Sequence, residues 1–237
     1  MRDSWRSYFR RLAVTTVVSG SVAWSSAMCY AVQLAYDDPT DPVYADGWQA
    51  GDNGGTGFTP WNFDLSYNSL DQHSVDTAPF ETFNDLGTAW EISNTLVIPS
   101  NRDIARAGRG FAPLQVGQTM RLIVDTPNTQ LFFRGYFIRF NSGGGNICYG
   151  GSPCTSGTTP VQKLNLRVFE YMSYGQWGIQ DAAGFNNIML YDTDTDNGLQ
   201  IDLTMTGANT YDLTMDPIGP GDTFTRSGSF AGSQPLD

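Results

Sequence analysis

The sequence predicts an all-β chain, a two-sheet antiparallel β-sandwich of jelly-roll or concanavalin-like type. Three observations point there. Apolar residues recur at every second position in several segments: Leu199, Ile201, Leu203 and Met205 alternate with Gln200, Asp202, Thr204 and Thr206. No run of convincing length carries a helical period. The 237 residues include 26 glycines and 12 prolines, and all but three of the acids are aspartate, which suits turns better than helices.

The N-terminus has the parts of a secretory signal peptide over Met1 to Ala31. Arg2, Arg6, Arg10 and Arg11 form a basic region, Leu12 to Trp24 is an apolar run too short to span a bilayer as a helix, and Cys29-Tyr30-Ala31 offers a cleavage site. Ala27 is a second cut site, and acylation of Cys29 is disfavoured by the bulky Met28 before it. Residues 32–237 are then one β-sandwich domain, expected to be secreted or held at a bacterial cell surface. Without the leader, nine basic residues face twenty-three acids, so a net charge of −11 becomes −14. Such a surface excludes nucleic acid and anionic membrane as natural partners. No later segment is long and apolar enough for a membrane span.

Along the chain, Tyr36 to Phe63 comes first, with five glycines, three prolines and five aspartates around Trp48, Phe58 and Trp61. It is expected to be a rigid loop, tacked by its rings onto a sheet beneath. Trp61 to Leu65 begins the strands, Ser66 to Pro79 reads as a polar connection, and Thr88 to Ser93 and Thr95 to Ile98 as strand pieces. Asn101 to Phe111 carries Arg102, Arg106 and Arg109, which would share one helix face, although Gly108 and Gly110 fit a loop equally. Met120 to Asp125 follows. Leu131 to Phe140, apolar but for Arg134 and Arg139, reads as a central strand covered on both faces. Leu164, Leu166 and Val168 alternate with polar neighbours, Leu199 to Met205 and Tyr211 to Met215 form a hairpin around Gly207-Ala208-Asn209, and Thr223 to Phe230 adds a last strand. The inward positions Leu122, Val124, Leu164, Leu166, Val168, Leu199, Ile201, Leu203, Tyr211 and Leu213 are the expected core.

The string Asp41-Pro42-Val43-Tyr44-Ala45-Asp46-Gly47-Trp48, then Gly51-Asp52-Asn53-Gly54-Gly55-Thr56-Gly57-Phe58, Trp61, Val116-Gly117-Gln118-Thr119 and the Gly207 to Met215 hairpin resemble a group of bacterial secreted proteins that often carry a PEP-CTERM sorting tail. The resemblance spans most of the mature chain. It implies export and a lectin-like β-sandwich, with no catalytic residues to carry over. The end, Ser233 to Asp237, departs from the group in having no sorting tail, so the chain reads as truncated there or as released rather than anchored.

The chemistry-bearing motifs are few. Cys148 and Cys154, the two cysteines beyond the leader, are expected to form a disulfide, as is usual in an exported protein. Asp192, Asp194 and Asp196, in Asp-Thr-Asp-Thr-Asp-Asn-Gly, can converge hard oxygens on a structural Ca²⁺ ion. The motif departs from the EF-hand, with glycine one place late and Leu203 where a bidentate Glu would sit. The bland alternative is a hairpin turn at Asn197-Gly198 with solvated aspartates. Asp37, Asp38, Asp41 and Asp46 form a weaker second cluster.

His73 stands alone in a polar segment, and no nucleophile elbow, HExxH or paired-glutamate string accompanies it, so catalysis has little support. Tyr171, Tyr174, Gln176 and Trp177 lie among glycines and amides, a composition on which a sugar ring can stack. Trp177 and Ile179 also share a face by alternation, which fits a core position and would leave Tyr174 and Gln176 facing outward. The leading expectation is therefore a non-catalytic module that binds glycan or extracellular polysaccharide. A structural protein of cell surface or matrix comes second, and a polysaccharide hydrolase or lyase third.

Overall fold

The computed structural model describes residues 4–16, 32–66, 72–76, 88–95, 104–125, 135–142, 161–169, 176–191, 198–233 and 235–236. The strands are β1 (Ser4–Thr16), β2 (Val32–Asp37), β3 (Asn62–Ser66), β4 (Gln72–Asp76), β5 (Ala89–Thr95), β6 (Ile104–Gly108), β7 (Gln118–Asp125), β8 (Gly135–Ser142), β9 (Val161–Phe169), β10 (Gln176–Asp181), β11 (Gly184–Tyr191), β12 (Leu199–Gly207), β13 (Thr210–Pro217) and β14 (Phe224–Ser229). Among the described residues the one helical piece is a 3-10 turn at Pro42–Tyr44, and no helix is long and apolar enough to cross a membrane.

An eight-stranded sheet runs β14-β13-β12-β7-β1-β5-β4, with β2 also on β1; a four-stranded sheet runs β11-β10-β9-β8, and β3 pairs with β6. Neighbouring strands are antiparallel throughout. The fold is thus an all-β sandwich, and its main core lies between the first two sheets. From the larger sheet come Met120, Leu122 and Val124 on β7, Leu199, Ile201, Leu203 and Met205 on β12, and Tyr211, Leu213 and Met215 on β13. Phe140, Leu164, Leu166, Trp177, Ile179, Ile188 and Leu190 come from the smaller sheet, and Ala35, Phe58, Leu114, Phe230 and Leu236 complete the cluster. Nine of the ten expected core positions, Leu122, Val124, Leu164, Leu166, Leu199, Ile201, Leu203, Tyr211 and Leu213, lie in this cluster, and burial of each large aliphatic side chain stabilises by about 1.5–3 kcal/mol. The side chain of Val168 lies outside the described set.

The glycine-rich loop is more than a loop tacked onto a sheet, since its rings build a core of their own. Tyr44, Trp48 and Trp90 make a second buried cluster, packed with Trp61, Phe63, Val75, Ile92 and Ala107. The Trp48 ring meets Trp61 and Phe63 edge-on at 4.8 and 4.9 Å. Gly55 sits at φ 66°, and a β-carbon there would lie 1.8 Å from the Tyr36 carbonyl, so the backbone approach needs glycine. Beneath it Arg109 is sandwiched between Phe58 and Trp61, with its guanidinium carbon 4.6 and 4.8 Å from the ring centres. Its ion-pair partner is Asp37, which is fully buried and accepts a hydrogen bond from the Tyr44 hydroxyl at 2.6 Å. That hydroxyl accepts in turn from Gly54 N at 3.2 Å and Trp61 Nε1 at 3.1 Å. Burial pushes the Asp37 carboxyl above its ordinary value, against the pull of Tyr44 and Arg109. Asp52 receives Gln49 N at 2.7 Å and so bonds its own loop.

Several sequence expectations need correction. The polar stretch at Ser66 to Pro79 contains β4, which occupies the sheet's edge, where polar side chains are tolerated. Asn101 to Phe111 is neither helix nor simple loop: β6 is a strand, so Arg106 and Arg109 do not share a helix face. The segment ending at Phe140 is not a central strand. Among the described residues β8 is the edge of its sheet, with Ile138 and Phe140 against the core and Phe137 and Arg139 on the other side.

The N-terminal segment is also placed. Ser4–Thr16 inserts between β7 on one side and β5 with β2 on the other. Its aromatic and β-branched residues suit a strand as well as they suit a leader, and length alone cannot separate the two. Cleavage after Ala31 would remove this strand, so the pairing of β1 with β7, β5 and β2 belongs to the full chain.

Candidate functional site

The two outer faces of the sandwich differ in kind. On the larger sheet, polar side chains pair across strands. Arg121 grips Asp202 through Nε and Nη2, both at 2.7 Å; Thr119 and Thr204 meet at 2.7 Å; Ser227 donates to Asp212 at 2.6 Å. These small groups satisfy one another and present no ring to a ligand.

The outer face of the four-stranded sheet is built from rings, guanidinium groups and amides. Strand register sets two rows across it: Phe137, Arg167, Gly178 and Asn187 in one, Arg139, Asn165, Gln180 and Phe185 in the next. Neighbouring strands lie about 4.8 Å apart, so the four together offer a face about 14 Å wide. Exposed Arg139 stacks over the Phe137 ring with its guanidinium carbon 4.2 Å from the centre, and Arg106 approaches the same ring from β6 at 5.7 Å. Cation–π contact of this kind holds a long, flexible side chain flat.

A second stack crosses three strands. Phe185 leaves β11 beside the Gly184 turn and lays its ring over Gly178 of β10, reaching Arg167 on β9, whose guanidinium carbon is 3.9 Å from the ring centre. Gly178 makes this path, since a β-carbon there would stand 2.4 Å from the ring. Phe185 is nevertheless 44% exposed, one of few large apolar residues among those described that face solvent. Burial lowers the Arg167 pKa from its ordinary value but leaves it a cation at neutral pH. Gln176, Gln180 and Tyr191 are half-buried on the same sheet and Asn187 is exposed. At the other end of β9, Lys163 and Asn165 are buried.

Of the side chains singled out from sequence, Gln176 lies on this face, whereas Trp177 is fully buried in the main core. Trp177 is therefore no surface platform: period-two alternation turns it inward with Ile179, and its ring fills the space between the sheets. Tyr171 and Tyr174 lie outside the described residues, as do Asp192, Asp194 and Asp196 and both Cys148 and Cys154. In the second aspartate cluster, Asp37, Asp38 and Asp41 are taken up by protein donors. Asp38 accepts from Tyr36 and Thr40, and Asp41 caps the 3-10 turn through Val43 N at 3.0 Å. Among the described residues no three His, Cys, Asp or Glu side chains come together as a metal site.

Sequence reasoning missed Phe137, Arg139, Arg167 and Phe185. A signal existed for the last: Ala182-Ala183-Gly184 is a turn sequence, and the Phe185 that follows lies opposite Gln180 in the hairpin register. Comparison with family models, curated proteins and solved structures found no match to this chain.

Proposed function

We propose that this is an exported bacterial β-sandwich protein that binds extracellular polysaccharide or cell-surface glycan without turning it over. What supports this reading is Phe185, its ring lying over Gly178 of β10 and the residue still 44% exposed, on a sheet face rich in amides. A sugar offers apolar C–H faces and hydroxyl edges, and such a face offers a ring for the one and donors and acceptors for the other. The basic, then apolar N-terminus supports export, and the resemblance to PEP-CTERM-type secreted proteins agrees with it. A jelly-roll or concanavalin-like strand connection, a structural Ca²⁺ at Asp192, Asp194 and Asp196, and a Cys148–Cys154 disulfide belong to the same proposal.

A polysaccharide panel, run with and without Ca²⁺, tests it. Binding to at least one glycan, lost in Phe185→Ala with the melting temperature kept, is the expected outcome. Loss of the melting transition rather than of binding would make the ring structural, and turnover of a panel member would move the protein to the hydrolases or lyases.

A further inference from the structure

We infer that Asn53-Gly54, in the glycine-rich loop, is a self-modification site at which the folded chain converts its own Asn53 side-chain amide to a carboxylate and releases ammonia. The inference is independent of the glycan reading. In an asparagine followed by glycine, the glycine backbone nitrogen and the asparagine side-chain carbonyl carbon are the ends of a five-membered ring. No β-carbon on the second residue hinders closure. The sequence holds two such pairs, Asn53-Gly54 and Asn197-Gly198, and the first lies wholly within the described residues. There the groups that closure needs, a proton acceptor for the nitrogen and a donor for the carbonyl oxygen, stand on either side of the pair.

The nucleophile is Gly54 N, in a buried residue, which donates to the Tyr44 hydroxyl at 3.2 Å. That hydroxyl donates to the buried Asp37 carboxylate at 2.6 Å, so a proton leaving Gly54 N has a path through Tyr44 to a base. The electrophile is Asn53 Cγ, whose carbonyl oxygen accepts from Arg109 Nη2 at 2.8 Å. Arg109 is fixed between Phe58 and Trp61 and paired with Asp37, so its free-standing charge is already aimed where the oxyanion forms. Gly54 packs directly on this apparatus: a β-carbon there would stand 2.6 Å from the Tyr44 ring and 2.8 Å from Asp37 Oδ1. Asn53 is exposed, which lets water reach it. As Gly54 N bonds to Cγ, its proton passes to Tyr44, the Tyr44 proton passes to Asp37, and the carbonyl electron pair moves onto Oδ1. Collapse of that oxyanion breaks the Cγ–Nδ2 bond; the departing amine recovers the proton from Asp37 through water and leaves as ammonia. One water then opens the cyclic imide, at Cγ to aspartate or at the backbone carbonyl to isoaspartate. The net change is one water consumed and one ammonia released. An aspartate at 53 would meet Arg109 through a charge-assisted bond in place of a neutral acceptor, which favours the product.

The test follows residue 53 of the full chain by peptide mass spectrometry during storage at neutral pH, once folded and once unfolded in urea. Asn53 should lose its amide about tenfold or more faster in the folded chain, a lower bound for a placed base and an oxyanion donor acting together. Tyr44→Phe, which cuts the proton path, and Arg109→Gln, which removes the donor to Oδ1, should each bring the folded rate down towards the unfolded one. Both variants are first checked for a native melting transition. A folded rate at or below the unfolded one overturns the inference, since the same hydrogen bonds would then be holding the amide out of reaction. An unchanged rate in folded Tyr44→Phe overturns it too. Where a variant fails to fold, the comparison of folded with unfolded parent chain decides alone.

Discussion

The hydroxyl of Tyr211, on β13 of the larger sheet, donates to the carboxylate of Asp181, on β10 of the smaller one, at 2.7 Å across the interior. Arg226 on β14 reaches the same oxygen, Oδ2, at 2.9 Å, while Ala183 N at the β10–β11 turn holds the other at 2.9 Å. One buried carboxylate thus joins three strands and a turn. Gly228 lies where a β-carbon would meet the Tyr211 hydroxyl at 2.4 Å, so the tyrosine's path also depends on a missing side chain.

Removing the acid from that junction leaves Arg226 without its partner and Tyr211 with a buried, unsatisfied hydroxyl. Asp181→Ala should lower stability by about 3–5 kcal/mol, and Tyr211→Phe, which deletes only the hydroxyl, by about 1–3 kcal/mol. Urea denaturation of both variants checks the order. Equal effects would mean that the carboxylate is held by something other than the inter-sheet contact.

A second buried ion pair, Asp37 with Arg109, governs the glycine-rich loop. Asp37→Ala alone should destabilise by about 3–5 kcal/mol, since it strands a buried guanidinium, and Arg109→Met added to it should recover part of the loss. A double-mutant cycle reads this coupling. Because burial raises the Asp37 pKa in the folded state, the native chain holds that proton more tightly than the unfolded one. The stability contributed by this group therefore falls as pH rises from the ordinary carboxylate value to the raised one, and Asp37→Asn should flatten that slope.

Trp177 and Phe185 should separate core from surface. Trp177 is fully buried, so truncation to alanine should remove about 3–5 kcal/mol, whereas Phe185→Ala should change stability by about 0.5 kcal/mol. Thermal melts beside binding assays decide it. A Phe185 variant as unstable as the Trp177 variant would place that ring in the fold's support.

The sequence made the core legible because alternation is a local signal: Leu199 to Met205 and Tyr211 to Met215 declare their inward face without knowledge of their neighbours. Sheet order is not local, and it decided most of what was misread. β8 reads as central because its apolar run resembles a strand covered on both sides, yet among the described residues it is an edge strand with Phe137 and Arg139 outward. The candidate face depends on the same non-local fact. Gly178 and Phe185 become a pair only once β10 and β11 are in register. The Asp37–Arg109 pair joins residues 72 positions apart, and no spacing announces it.

The aspartates at 192, 194 and 196 lie on the connection from β11 in the smaller sheet to β12 in the larger. An ion held by all three would bind the folded arrangement alone and pin the crossing between sheets, so the melting temperature should climb with Ca²⁺ concentration and fall with chelator. Melting indifferent to millimolar Ca²⁺ would leave these residues as a solvated turn.

The last prediction concerns β1. In the full chain it pairs with β7 from Tyr8–Asp125 to Thr16–Gln118, and with β5 and β2 on its other side, so it bridges two parts of the larger sheet. If export removes Met1 to Ala31, β7 loses that neighbour and its backbone donors and acceptors on one side stand open, an edge that recruits another strand. A chain beginning at Val32 should melt at a lower temperature than the full chain and associate as its concentration rises, measured by sedimentation. A peptide of residues 4–16, added in excess, should reverse both effects. Hydrogen exchange at Gln118–Asp125 gives an independent reading, because those amides lose protection only where the edge is open. A monomeric Val32 chain with unchanged melting and protected β7 amides would show that another strand closes the edge. β2 is the nearest candidate, since it already lies against β1 on the side away from β7 and needs to move by one strand position.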